Sequence, residues 1–207
     1  MYKRINGIQH IGAGVADTEI AWKWYRKFFG MDIPMFDGVA PAPLMDIYTN
    51  NETITKRATM IFNLQGGTAM EVVCPTSFKA SHGKKKYELG DLGIFITQVK
   101  TRDIHSTFQF FKKEGADLIS DIVLDPENEE TFYVKDPNGL YFQIVKGKNF
   151  YTRGKHITGG PNGCTIGVSD VDKAMTLYAD VLGYSKVVYD KTAQFDDLKG
   201  LPGGKKK

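Results

Sequence analysis

One pattern recurs along this chain and restricts it to repeat architectures. A short apolar strand is followed by an aspartate, an aromatic-rich helix and a stopping glycine. The stretch at residues 8–30 shows it first. At an offset of 153, Gly14, Val15, Asp17, Ala21, Tyr25 and Gly30 coincide with Gly167, Val168, Asp170, Ala174, Tyr178 and Gly183. At an offset of 72, residues 67–73 overlie residues 139–145, and at an offset of 86 Asp17 meets Asp103. Self-similarity of this kind means one supersecondary unit copied along the chain. Only the first copy carries a histidine, His10, in its opening strand.

Local signals give each unit its order. Asp17 suits a helix N-cap, and Ile20, Ala21, Trp24 and Phe28 recur at the spacing of a core-facing helix that Gly30 ends. A second strand is expected over 31–36, an irregular loop over 37–56, and a hairpin from 58–64 and 68–74 around Gly66-Gly67. The order then repeats: a strand over 92–99, a helix from Asp103 to about Glu114, a strand over 118–124, and a hairpin around Asp136-Pro137-Asn138-Gly139. Residues 75–90 and 147–161 are expected linkers. A third unit opens at 163–168, continues as a helix to Leu182 and a strand over 185–189, and stops before its third and fourth strands. The reading is an α+β fold of tandem βαβββ units. The first spans 1–78, the second 87–147, and an incomplete third 160–207.

Composition excludes several classes. A net charge of +3 that two clusters, Lys84–Lys86 and Lys205–Lys207, largely account for leaves no basic face for nucleic acid. No apolar run reaches the roughly 18 residues of a membrane span, and the N-terminus lacks a signal-peptide core. Cys74 and Cys164 have no metal or redox spacing and read as free thiols, which fits a reducing cytoplasm.

With these motifs in place, the chain resembles the vicinal oxygen chelate superfamily of glyoxalases, extradiol dioxygenases and bleomycin-resistance proteins. The resemblance rests on the βαβββ repeat, on His10-Ile-Gly-x-Gly-Val-x-Asp17, on the Tyr25 to Gly30 helix end and on Asp136-Pro-Asn-Gly139. It implies paired units around a cavity, with metal ligands from the first strand and the fourth strand. By position those are His10 and Glu71, half of a site for a divalent ion such as Zn, Ni, Mn or Fe. Glu71 would also serve as a catalytic base. In the second unit Ile96 and Gln143 take those two positions, and in the third Gly163 takes the histidine's. Ile96 cannot ligate at all.

Three completions of the half-site follow. A missing C-terminal half could supply a fourth unit, or a homo-oligomer could bring two copies of His10 and Glu71 together. Alternatively the site is degenerate and the cavity binds a small molecule without metal, as bleomycin-resistance proteins do. The corresponding expectations are a metal-dependent lyase, isomerase or oxygenase acting on a small substrate with vicinal oxygens, or a metal-free binding protein. The remaining histidines, His82, His105 and His156, have the ordinary surface role as their default.

Overall fold

The computed structural model describes residues 5–80 and 86–205. His82, with Ser81, Gly83, Lys84 and Lys85, lies outside the described residues, as do Lys206 and Lys207.

The first sheet is built from β1 (His10–Gly14), β2 (Ile33–Pro41), β3 (Thr55–Phe62) and β4 (Ala69–Pro75), in the order β1-β4-β3-β2. Helix α1 (Thr18–Phe29) crosses between β1 and β2. Asp17 starts it by accepting the Glu19 and Ile20 amides at 2.8 and 3.0 Å. Gly30 ends it in the left-handed region at φ 58°. The second sheet repeats the plan with β5 (Gly93–Thr101), α2 (Ile104–Lys113), the short β6 (Asp117–Leu118) and β7 (Val123–Leu124), β8 (Glu130–Lys135) and β9 (Tyr141–Lys146). Its order is β10-β5-β9-β8-β6, where β10 (Thr158–Gly167) comes from the third unit.

The two sheets meet through their helix-bearing faces. Ala13, Ile61, Met70 and Val72 of the first share one buried cluster with Val99, Phe132, Phe142 and Ile144 of the second. Aromatic rings fill the seam: Phe28 lies 4.9 Å from Phe111 and Phe29 lies 4.8 Å from Phe142, centroid to centroid. Tyr25 adds a polar tie, donating to Asp136 Oδ2 at 2.6 Å in full burial. Asp136 also accepts from the Asn138 and Leu140 amides, so the turn of the second unit is anchored by the helix of the first.

Several expectations change. The segment 147–161 is stitched to the first unit and is no loose linker. Asn63 Nδ2 donates to Phe29 O and Thr158 O, Gln65 Nε2 to His156 O and Thr158 O, and the Tyr151 amide donates to Gln65 O at 3.0 Å. The buried amides of Asn63 and Gln65 need acceptors, and this segment supplies them. The strand expected over 118–124 is two fragments flanking β8. The strand expected over 185–189 does not form, and Val187, Val188 and Tyr189 stay exposed because no neighbouring strand pairs with them. The third helix is short: α3 (Val171–Met175) passes into a π-helical stretch, Thr176–Val181, with no buried residue.

Candidate functional site

In β1 the residues alternate in exposure. Ile11 and Ala13 pack toward the helices, while His10, Gly12 and Gly14 face the other way. β4 lies parallel beside it in a register that places His10 against Ala69 and Gly12 against Glu71. Both side chains therefore emerge on the helix-free face of the first sheet. His10 Nε2 lies 3.6 Å from Glu71 Oε2, with 36% and 24% of the side chains exposed. Gly12 and Gly14 leave the space beside them open, since a Cβ on either would touch nothing within 4 Å. His10 Nδ1 is in hydrogen-bond contact with Gln9 Oε1. The tautomer with its proton on Nδ1, donated to that oxygen, leaves the Nε2 lone pair available to a cation.

The two residues singled out in the sequence are thus side by side. Imidazole and carboxylate are suitable donors for a divalent cation, and both reach solvent. Among the described residues, no group of three or more His, Cys, Asp or Glu side chains is placed to hold a metal. Catalytic sites generally need three protein ligands, so this pair fits a metal ion only as one half of a donor set. The face is open, and a cleft of about 270 Å³ near the far end of the same strands, lined by Gly14, Val15, Val73 and Asn138, holds neither residue.

The second sheet shows what the matched positions become without these donors. Gln98 and Gln143 stand opposite each other, as Gly12 and Glu71 do in the first sheet. Gln98 Nε2 donates to Gln143 Oε1 at 3.0 Å, one amide bonded to the other. Gln98 escaped the sequence reading; the offset of 86 that relates it to Gly12 was the available signal. This face is also covered. A 3-10 turn, Asp196–Gly200, folds back on it, burying Leu201 with Ile96 and Tyr133. Tyr133 OH donates to Asp197 Oδ2 at 2.9 Å. Burial pushes the Asp197 carboxyl above the usual range, and it pushes the Tyr133 hydroxyl up as well.

The other described histidines each contact a carboxylate. His105 Nε2 lies 3.1 Å from Glu130 Oε2, and His156 Nε2 lies 3.1 Å from Asp32 Oδ2. Cys74 and Cys164 are free and half-buried. No helix among the described residues is long and apolar enough to cross a membrane.

A profile of the Glyoxalase/Bleomycin resistance protein/Dioxygenase superfamily matches residues 7–144. No curated relative is found. Among solved structures, a glyoxalase family protein from Bacillus cereus aligns at TM-score 0.57 and 11% identity, covering 78% of this chain and 97% of that one. Glyoxalase I from Zea mays aligns at TM-score 0.57 and 16% identity, covering 86% and 55%. A proposed dioxygenase from Bacillus subtilis aligns at TM-score 0.62 and 18% identity, covering 87% and 56%. The chain therefore spans a little over half the length of the latter two. At these identities the likeness is one of fold.

Proposed function

The chain belongs to the Glyoxalase/Bleomycin resistance protein/Dioxygenase superfamily, and from that premise we propose that it is a metal-dependent enzyme acting on a small substrate with vicinal oxygens. The class is a glyoxalase-type lyase or isomerase, or an oxygenase. The observation that carries this reading is the His10–Glu71 pair, 3.6 Å apart on an open face flanked by glycines. A carboxylate in a strand flanked by Met70 and Val72 has no structural partner other than this histidine among the contacts described.

His10 would bind through Nε2 and Glu71 through its carboxylate. When bound, a divalent ion of zinc, nickel, manganese or iron supplies Lewis acidity toward two adjacent substrate oxygens. The chain's own contribution is then positional and acid–base. Gln9 orients the imidazole. Gly12 and Gly14 leave room for a substrate to lie flat against the strand. In a proton-transfer reaction the Glu71 carboxylate, accessible from solvent and released from ligation, takes the proton from the substrate. The missing donors come from another βαβββ unit, such as that of a second copy. A reducing, cytoplasmic setting suits the two free thiols.

The test is turnover of 2-oxoaldehydes and catechols by chain of known oligomeric state, with and without chelator. Activity that chelator abolishes and metal restores, and that His10→Ala lacks, supports the proposal. Chelator-resistant turnover contradicts it. The second sheet favours a second reading, metal-free binding of a small molecule, because Ile96 and Gln143 have already replaced the ligands there. Ligand binding that ignores both chelator and His10→Ala would decide for it.

A further inference from the structure

The segment that ties the second unit to the first carries charge of one sign. No aspartate or glutamate occurs between Asp136 and Asp170, while Lys146, Lys148, Arg153 and Lys155 fall close together. Two more cations reach the segment from β5. Arg102 Cζ lies 3.9 Å from the centre of the Phe150 ring, and Lys100 Nζ lies 4.8 Å from it. Both are held by neutral oxygens. Arg102 donates to Gln65 Oε1 at 2.9 Å and to Thr152 O, and Lys100 donates to Asn149 O at 2.6 Å. The neighbouring carboxylates are engaged elsewhere, Asp103 by the Ser106 amide and hydroxyl and Asp32 by His156. Among the described residues, no carboxylate pairs with Lys100, Arg102, Lys148 or Arg153.

This arrangement is costly for an empty surface. Lys100 is only 6% exposed. Glycines make way for its stem, since a Cβ on Gly147 or Gly159 would come within 2.8 or 2.7 Å of it. Burial and the Arg102 guanidinium push the Lys100 ammonium below its ordinary value. Two cations are thus held around one ring with no counter-charge, and an anion placed beside them would relieve their repulsion.

A cleft of about 410 Å³ opens at this place, with Arg102, Lys148, Phe150, Tyr151, Thr152 and Arg153 in its lining. Small-molecule sites span roughly 300–1,000 Å³. The amides of Lys148, Phe150, Thr152 and Arg153 donate to no protein acceptor among the described residues. Guanidinium N–H groups, an ammonium and free backbone amides are the donors that phosphate oxygens take. Tyr151 is 82% exposed although its amide is fixed to Gln65 O, so its ring offers a flat apolar surface at the same cleft. The positive charge is one cleft wide, which suits a small anion. The lining shares no residue with the His10–Glu71 face.

We infer that this cleft is a second binding site, for the phosphate group of a small phosphorylated molecule. Lys148, Arg153 and Arg102 meet the phosphate oxygens together with the free amides. Lys100, outside the lining, acts through its field. Because the same segment joins the two units, a bound phosphate should also raise the unfolding midpoint of the chain.

Titration calorimetry of the chelator-treated full chain with pyrophosphate, at an ionic strength fixed with sodium chloride, tests the site. One pyrophosphate should bind per chain, and the double substitution Lys148→Ala, Arg153→Ala should weaken it by about tenfold or more. Both side chains are exposed, so the unliganded variant should keep the wild-type thermal midpoint. Lys112→Ala with Lys113→Ala removes the same charge from exposed positions of α2 and should bind as the wild type does. ADP separates two sources of the phosphate. Binding tighter than that of pyrophosphate, and reduced to its level by Tyr151→Ala, supports the site as one for a nucleotide. Equal binding of the two, indifferent to Tyr151→Ala, supports it as a site for the phosphate group alone. No binding at about 10 mM pyrophosphate overturns the inference. So does binding undiminished by Lys148→Ala, Arg153→Ala, or an equal loss in the Lys112→Ala, Lys113→Ala control.

Discussion

At the scale of single residues, three side chains carry more than packing. Tyr25 is fully buried and donates to Asp136 Oδ2 at 2.6 Å, and burial beside that carboxylate pushes its own hydroxyl far up. Tyr25→Phe keeps the ring and removes the donor. It should destabilise the fold by about 1–3 kcal/mol in urea unfolding, the cost of leaving a buried acceptor short of a partner. A smaller loss would mean that Asn138 and the turn amides satisfy Asp136 alone. Asp197 works in the opposite sense to a salt-bridged carboxylate. Desolvation raises its folded pKa above the ordinary 3.8, with Asp125 adding repulsion and the Tyr133 hydrogen bond opposing. The folded form then binds the proton more tightly than the unfolded chain. Docking of the Asp196–Gly200 turn should strengthen as pH falls through that raised pKa and weaken as pH rises past it. Amide exchange across the turn should follow this slope in the wild-type chain, and Asp197→Asn should flatten it. An unchanged slope in the variant would assign the effect elsewhere. Gln98 has a simpler role: it closes the amide pair with Gln143 where the first sheet keeps glycine and glutamate.

At the scale of elements, what the sequence made legible was what local chemistry decides. Asp17, Asp103 and Asp170 each cap their helices as their positions predict, and Gly30 takes the left-handed conformation that stops α1. His10 and Glu71 were legible as a pair through the family resemblance, which places ligands on the first and fourth strands, and the structure sets them on one face of the sheet. The misses depended on neighbours. Residues 185–189 have strand composition, yet no strand lies alongside to take their backbone hydrogen bonds, so they stay irregular. The segment 147–161 has linker composition, but buried Asn63 and Gln65 recruit its carbonyls. The Pro43–Tyr48 turn carried no periodic signal and lies inside the stretch expected as an irregular loop. Gly30 shows how tightly one helix end is held: a Cβ there would press on the His156 ring and come 2.7 Å from Asn63 Nδ2. Gly30→Ala should cost at least about 1 kcal/mol from the left-handed backbone alone, and thermal unfolding would read it. An unchanged midpoint would show that the His156 segment moves aside freely.

At the scale of the molecule, two βαβββ sheets share one aromatic core through their helix-bearing faces, which turns their other faces outward. The second sheet's outer face is sealed by the chain's own turn and has lost both candidate ligands. The first sheet's outer face keeps both and stays open. That asymmetry is the basis for assigning function to the first sheet. The most direct test is metal content by mass spectrometry on tag-free, chelator-free protein of known oligomeric state, alongside Glu71→Gln. The account predicts near-stoichiometric divalent metal in the assembled wild-type chain and a sharp loss in the variant, which keeps the side chain's size and removes its charge. No metal in either protein, even after reconstitution, would contradict the metal-site assignment and leave the open face to a metal-free ligand.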